Sequence, residues 1–124
     1  MARIFKLLAG ALAALLLVGT ASACSSVSTV DVATYASVID VRTPEEYATG
    51  HLAGATNMDI RGISFADQIG KLDRSANYFI YCHSGNRAGQ AIDYMVSNGF
   101  TGTLTNGGGV DAAATATGLE IVKN

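Results

Sequence analysis

Tryptophan is absent from the 124-residue sequence, proline occurs once, and only two residues are cysteine. A chain of this length can bury enough surface to fold without a disulfide framework or a structural metal. Charged residues make up 15% of the sequence, the net charge is −2, and the basic residues are scattered rather than clustered. This pattern excludes the concentrated positive surface that nucleic-acid binding requires. Internal repeats and linkers are also lacking, which indicates a single domain.

The long apolar run of the sequence lies at its beginning, where Met1–Ala23 has the features of an export signal. Two basic residues precede the apolar run Leu7–Val18, which is too short to cross a bilayer comfortably as a helix. The small residues Ala21-Ser22-Ala23 match a signal-peptidase cleavage pattern and would make Cys24 the first residue of the mature chain. We therefore expect an exported protein of the periplasm or cell envelope.

Cys24 has two readings that the sequence leaves open. Its place after the cleavage pattern resembles the lipobox of bacterial lipoproteins, although Ala21 stands where leucine is usual. A lipidated Cys24 would attach the protein to a membrane, whereas the alternative is a secreted chain with Cys24 in a flexible Ser/Thr-rich tail, residues 24–30. In both cases Cys82 has no obvious disulfide partner in an oxidising compartment, so this lone internal thiol requires another explanation.

Residues 31–124 begin with alternating strand and helix signals. The β-branched run Ser37–Val41 predicts a strand. Thr43, followed three residues later by Glu46, forms a capping-box pattern that predicts a helix, and Gly50 ends it. Ser64 is predicted to cap a second helix.

The second half of the domain continues this alternation. Tyr78–Tyr81 is a continuous apolar run, as expected for a central strand buried on both faces. Helical spacing predicts a helix over Arg87–Asn98 that stops at Gly99. Shorter strands are predicted around Asn57-Met58 and at Thr103–Thr105, and the Ala-rich tail predicts a final helix. Together these elements predict an α/β domain with a mostly parallel sheet covered by helices on both faces.

The segment Cys82–Arg87 joins the end of the buried strand to the start of a helix, where open α/β sheets place their ligands. Backbone N–H groups around Cys82 and the positive helix end stabilise a thiolate and an anion bound beside it, and Gly85 allows the tight backbone path. Arg87 adds a planar fork suited to an oxyanion such as thiosulfate or phosphate. A cation at this helix end is unfavourable unless an anion or an acidic partner compensates it. The pattern predicts nucleophilic catalysis by Cys82, in which a group is held on sulfur and then passed on.

For the other polar residues, a structural role competes with a role in catalysis or binding. Asp40 and Arg42 are predicted to form a structural ion pair near the strand end, although Arg42 can also help to attract an anion. His51 lies in a glycine-bounded turn, which favours a structural hydrogen bond over acid/base catalysis. His83 is a tuning residue at most, and Ser84 can donate a hydrogen bond to a sulfur-bound group. The predicted catalytic residues are Cys82 and Arg87, and the predicted substrate-binding residues are His83, Ser84, Gly85, Asn86, Ala88 and Arg42.

With these residues in place, the sequence resembles a single-domain rhodanese, a sulfurtransferase family, over nearly the whole mature chain. Tyr81–Ala88 resembles the family's catalytic loop, and Gly99-Phe100 and Gly108-Gly109 resemble its closing elements. The sequence departs from the family pattern at Ala113, where the family commonly has tryptophan. This difference bears on the packing of the final helix rather than on the loop. The segments that resemble the first family signature, in order and spacing, are Val38-Ile39-Asp40-Val41-Arg42, Glu46-Tyr47, Gly50-His51-Leu52, Gly54-Ala55 and Asn57.

The resemblance implies a five-stranded, mostly parallel core and a ping-pong cycle. Cys82 would take sulfane sulfur from a donor such as thiosulfate, form a persulfide, and surrender the sulfur to cyanide or a thiol. Arg87 and the loop amides would position the anionic donor. The resemblance implies no metal and no organic cofactor, and we expect a monomer whose partners are these small molecules.

Two other functions remain open from the sequence. Cys82 and Arg87 are five positions apart, whereas protein tyrosine phosphatases have six, so the spacing favours sulfur transfer over a phosphatase or an arsenate reductase. The remaining alternative is a non-catalytic rhodanese-like module that binds a partner or senses oxidants through Cys82.

Overall fold

The computed structural model of the protein describes residues 29–123. The predicted export signal and Cys24, with its predicted lipidation, lie outside these residues. Thr29 and Val30, which the sequence assigns to the end of the tail, both donate their backbone N–H groups to the carbonyl of Ala116 at 3.0 Å. No helix between residues 29 and 123 is long and apolar enough to cross a membrane.

Strands and helices alternate along the described chain after a short 3-10 turn at Val32–Thr34. In chain order the elements are β1 (Ser37–Asp40), α1 (Pro44–Thr49), β2 (His51–Leu52), β3 (Thr56–Asn57), α2 (Phe65–Gly70), β4 (Tyr78–Tyr81), α3 (Asn86–Ser97), β5 (Leu104–Asn106), α4 (Val110–Thr117) and β6 (Ile121–Val122).

The main sheet consists of four parallel strands in the order β3-β1-β4-β5. The α/β architecture with a mostly parallel sheet is confirmed, but this sheet has four strands rather than the five that the resemblance implies. The two remaining strands, β2 and β6, form a separate antiparallel pair in which His51 lies opposite Val122. The strand order also reverses between β1 and β4, because β3 lies on one side of β1 and β4 on the other. Such a reversal opens a crevice at the carboxyl ends of the two strands, where α/β folds bind ligands.

Two apolar cores lie on opposite faces of the sheet. Along β4 and into Cys82, alternate residues belong to alternate cores. One core packs against α2 and α3, and the other packs against α1 and α4. The predicted helices on both faces are thereby confirmed. Tyr78, Ile80 and Cys82 belong to the first core, and Phe79 and Tyr81 belong to the second.

The final helix, α4, forms as predicted from the Ala-rich tail, although tryptophan is missing from it. Ala113 is fully buried in the same core as Phe79 and Tyr81. The small Ala113 side chain thus shares its core with two large aromatic side chains of β4. The final helix packs onto the sheet with alanine at this position.

The two predicted helix caps have different outcomes. At α1 the capping box is confirmed: the Thr43 side chain accepts from the N–H of Glu46, and the Glu46 carboxylate accepts from the N–H of Thr43. The predicted cap by Ser64 at α2 is wrong, because Ser64 makes no side-chain capping hydrogen bond. Its backbone is already helical, with φ −93° and ψ −2°, whereas a capping residue normally has an extended backbone.

Gly107→Ala is expected to destabilise the protein, because a methyl group at this position would overlap the ring of Phe79. That ring is 1% exposed in the central strand, and overpacking of a rigid core costs about 1–3 kcal/mol. Urea denaturation measures the change. Gly70→Ala is the matched control, because a methyl group there meets nothing within 4 Å, and we expect it to be neutral or slightly stabilising. Equal losses in the two variants would contradict this account.

Candidate active site

The Cys82 sulfur lies immediately after the central strand β4, inside a loop that curls around it. Its Sγ atom accepts hydrogen bonds from the backbone N–H groups of Gly85, at 2.9 Å, and Ala88, at 3.4 Å. Gly85 adopts φ +96°, a left-handed conformation that favours glycine, as expected from the tight path of the loop. Two backbone N–H groups are therefore directed at one sulfur, as donors for a negative charge placed on it.

The rest of the loop presents further hydrogen-bond donors. Within the described chain, the backbone N–H groups of His83, Ser84, Asn86 and Arg87 donate no hydrogen bond. The side chains of His83, Ser84 and Asn86 are exposed, whereas Cys82 is 0% exposed. The structure therefore brings the predicted loop residues together around a buried sulfur, with unused donors at the start of α3 that suit an anion.

The loop between β5 and α4 forms the wall behind this sulfur. The N–H of Cys82 donates to the carbonyl of Gly108 at 2.9 Å. Any side chain at Gly109 would collide with the carbonyl of His83, so the two loops approach as closely as backbone allows. The run of glycines after Asn106 is the sequence signal for this contact, although it predicts no site role by itself.

Arg87 forms a bidentate ion pair with Glu46, with Nη1–Oε1 and Nη2–Oε2 distances of 2.8 and 3.0 Å. Glu46 is therefore the acidic partner that a cation at this helix end requires. The hydrogen bonds from Arg87, together with weaker effects of those from Thr43, lower the pKa of Glu46 from 4.5 to about 2. The pKa of Arg87 is raised chiefly by the same hydrogen bonds, and the negative charge of Cys82 adds to this effect. The sequence predicted Glu46 only as a capping residue, because the pairing spans 41 positions.

The predicted ion pair between Asp40 and Arg42 is confirmed, with a distance of 2.7 Å between Arg42 Nη2 and Asp40 Oδ2. Both side chains are buried, and Arg42 Nη2 also donates to the carbonyl of Gly50 at 2.7 Å. The guanidinium of Arg42 is thus engaged by protein groups next to the crevice between β1 and β4. Its predicted contribution to substrate binding stays a prediction.

His51 makes the structural contacts that the sequence predicts. Its Nδ1 lies 2.8 Å from the carbonyl oxygen of Tyr47, and its ring stacks on the Tyr47 ring with 3.6 Å between centroids. The ring is buried, so it fixes the turn after α1. Among residues 29–123, no three His, Cys, Asp or Glu side chains are placed to hold a metal ion.

Glu46→Gln is expected to flatten the acid dependence of stability. A carboxyl whose pKa falls from 4.5 unfolded to about 2 folded stabilises the protein above pH 4.5 and loses this contribution as the pH falls towards 2. Glutamine can still complete the capping box but does not titrate. Because the Glu46 side chain is 34% exposed, solvent screening limits the effect to about 1 kcal/mol or less. Denaturation across this pH range measures it.

Glu45→Gln is the control for this prediction, because Glu45 lies in the same helical turn with an exposed side chain. We expect this variant to keep the acid-induced loss of the unmodified protein. An acid profile of Glu46→Gln that coincides with that of the unmodified protein would contradict the assignment.

The sequence of the chain is similar to known sequences of one family. The model of the Rhodanese-like domain family matches residues 27–115. The thiosulfate sulfurtransferase GlpE of Pseudomonas entomophila is 37% identical over 70 residues, which are 56% of this chain and 62% of that protein. The GlpE of Pseudomonas fluorescens SBW25 is 35% identical over 80 residues, which are 64% of this chain and 72% of that protein. The chain thus spans less than two thirds of the first of these relatives.

Solved structures that are described as rhodanese domains also have a similar fold. The Rhodanese_3 like domain of the Alr3790 protein from Anabaena superposes with a TM-score of 0.61 and 28% identity, covering 71% of this chain and 92% of that one. A structure described as rhodanese with anions from E. coli has a TM-score of 0.58 and 28% identity, covering 71% of this chain and 98% of that one.

Proposed function

Because the chain belongs to the Rhodanese-like domain family, we propose that it is a sulfurtransferase that carries sulfane sulfur on Cys82. The observation that carries the proposal is the pair of N–H groups, from Gly85 and Ala88, directed at the Cys82 sulfur. This arrangement supplies donors for the negative charge that the thiolate carries on that sulfur. The relatives named thiosulfate sulfurtransferase support thiosulfate as the donor.

The first half-reaction transfers one sulfur atom to the protein. The Cys82 thiolate attacks the outer sulfur of thiosulfate and forms a new S–S bond. The S–S bond of thiosulfate breaks, and sulfite leaves with its electron pair. The product is a persulfide anion on Cys82, so no external oxidant or reductant is consumed.

The second half-reaction returns the protein to its starting form. The carbon of cyanide, or the sulfur of a thiolate, attacks the outer sulfur of the persulfide. The S–S bond to Cys82 breaks, and its electron pair returns to Sγ as the thiolate. Thiocyanate, or a new persulfide on the acceptor, is released.

The chain carries a net charge of −2, which repels an anionic donor, but the potential at the site itself is more favourable. Thiosulfate is a dianion and must approach a thiolate, so the site has to supply compensating positive potential. The unused N–H groups at the start of α3 supply it through the positive helix end. Arg87 adds a cation whose charge is partly balanced by Glu46. In this proposal, Arg87 ties the loop to α1 through its pair with Glu46. Its positive charge also lowers the electrostatic repulsion between the anionic donor and the thiolate.

Intact-mass measurement tests the proposal. The purified protein is incubated with thiosulfate, weighed, and then treated with cyanide while thiocyanate is assayed. We expect a gain of one sulfur atom, followed by its loss with release of thiocyanate. Cys82→Ser is the control and is expected to gain nothing and release nothing. The proposal would be overturned if the protein of native sequence gained no sulfur, or if Cys82→Ser gained as much sulfur as the native sequence does.

A further inference from the structure

Asn106, the last residue of β5, joins the two loops that enclose the Cys82 sulfur. Its Nδ2 donates to the carbonyl of Gly85 at 3.0 Å, and its Oδ1 accepts from the N–H of Gly108 at 2.9 Å. Gly108 in turn accepts from the N–H of Cys82 at 2.9 Å. One side-chain amide therefore completes a closed series of hydrogen bonds around the loop.

The bond to Gly85 matters because the same residue donates its N–H to the sulfur at 2.9 Å. Gly85 has φ +96° and no side chain, so its own conformational preferences hold it weakly. A methyl group there would lie 3.5 Å from Asn106 Oδ1 and 3.3 Å from Gly108 Cα, which shows how closely the two loops pack. The carbonyl of Gly85 also accepts from the N–H of Gly89 at 3.0 Å, so Asn106 and the first turn of α3 hold this residue together.

We propose that Asn106 is a positioning residue that holds the Gly85 N–H on the Cys82 sulfur and so stabilises the thiolate. The inference deepens the proposed function, because the thiolate is the nucleophile of that reaction, but its test needs no sulfur transfer. The charged pair beside the loop, Arg87 with Glu46, shares no hydrogen bond with the Asn106 side chain among the described residues. The apolar core around Cys82 supplies no charged group of its own.

Asn77 supplies a matched control at the opposite end of β4. Its Nδ2 donates to the carbonyl of Thr34 at 3.2 Å, and its Oδ1 accepts from the N–H of Thr103 at 2.8 Å. Like Asn106, it uses one amide to bridge a carbonyl and an N–H of two different segments. It does so just before β4 begins, whereas Cys82 follows the end of that strand.

The test is a pH titration of the Cys82 thiolate by its ultraviolet absorbance in the full chain. Each variant is also made with Cys82→Ser, and the difference spectrum removes the contribution of Cys24. In Asn106→Ala we expect half-ionisation at a higher pH, with about three- to tenfold less thiolate at pH values well below both midpoints. Asn106→Ser, whose shorter hydroxyl cannot span both partners, is a milder second variant and is expected to shift in the same direction.

Asn77→Ala is expected to titrate like the unmodified protein, even if its thermal stability falls as much as that of Asn106→Ala. A titration of Asn106→Ala that coincides with the unmodified protein would overturn the inference, as would an equal shift in Asn77→Ala. Failure of the mass experiment together with the expected shift would sink sulfur transfer and leave the positioning role standing.

Discussion

Arg87→Ala is expected to slow persulfide formation from thiosulfate by about a hundredfold or more, which is the usual cost of removing one fixed electrostatic donor from an active site. Two effects add in this variant. The cation that adds positive potential at the Cys82 loop is lost. In addition, the carboxylate of Glu46, which is paired with Arg87 in the native protein, becomes an unpaired negative charge near the loop. The rate of mass gain at low thiosulfate concentration measures the result.

A double variant separates these two effects. Arg87→Ala with Glu46→Ala removes both charges, so we expect it to react about two- to tenfold faster than Arg87→Ala alone, with the difference shrinking at high salt. Arg74→Ala is the control, because the Arg74 guanidinium also donates a hydrogen bond within the protein, to the carbonyl of Asn98, but does so at the far end of α3. It is expected to react at the unmodified rate. A double variant no faster than the single one would contradict the role of the Glu46 charge.

Asp40→Ala is expected to cost about 3–5 kcal/mol of stability, the usual loss when one partner of a buried ion pair is removed. Asp40 is 0% exposed and Arg42 is 4% exposed, so the remaining guanidinium cannot turn to water without disturbing the core. The substitution also removes the carboxylate that accepts from the backbone N–H of Arg42 at 2.9 Å. Urea denaturation, compared with the unmodified protein under identical conditions, measures the loss.

The chain contains its own control for this effect. Asp59 accepts from the backbone N–H of Arg61 at 2.8 Å, two residues on, as Asp40 does from Arg42. The Arg61 side chain is exposed, so Asp59→Ala removes the same backbone bond without stranding a buried cation. We expect it to cost about 1 kcal/mol or less. Similar losses in the two variants would show that the backbone bond, not the buried charge, accounts for the effect.

Local signals explain why much of the fold is predictable from the sequence. The capping box at Thr43 and Glu46 and the apolar run at Tyr78–Tyr81 each determine an element through neighbours a few residues away. The loop that follows Cys82 is predictable for the same reason, because strand, glycine and helix occur in immediate succession. Ser64 misled the prediction, since a serine before a helix predicts a cap only if its backbone is extended.

Long-range pairings set the limit of sequence reasoning. The strands β2 and β6 have two residues each, too few for an alternating pattern, and they pair only because the chain returns to the turn after α1. Glu46 and Arg87 lie 41 positions apart, and Asn106 and Gly85 lie 21 apart. Neither pair shares a local pattern, so each becomes visible only once the parallel strands bring their carboxyl ends together.

The complete burial of Cys82 has a consequence for which molecules can complete the proposed cycle. A persulfide extends the side chain by one S–S bond, about 2 Å, so the transferable atom stands farther out than Sγ does. An acceptor then needs to reach only this outer sulfur and not the buried one. In the proposed cycle the two substrates therefore react at different atoms, because thiosulfate must reach Sγ whereas the acceptor must reach only the sulfur one bond beyond it.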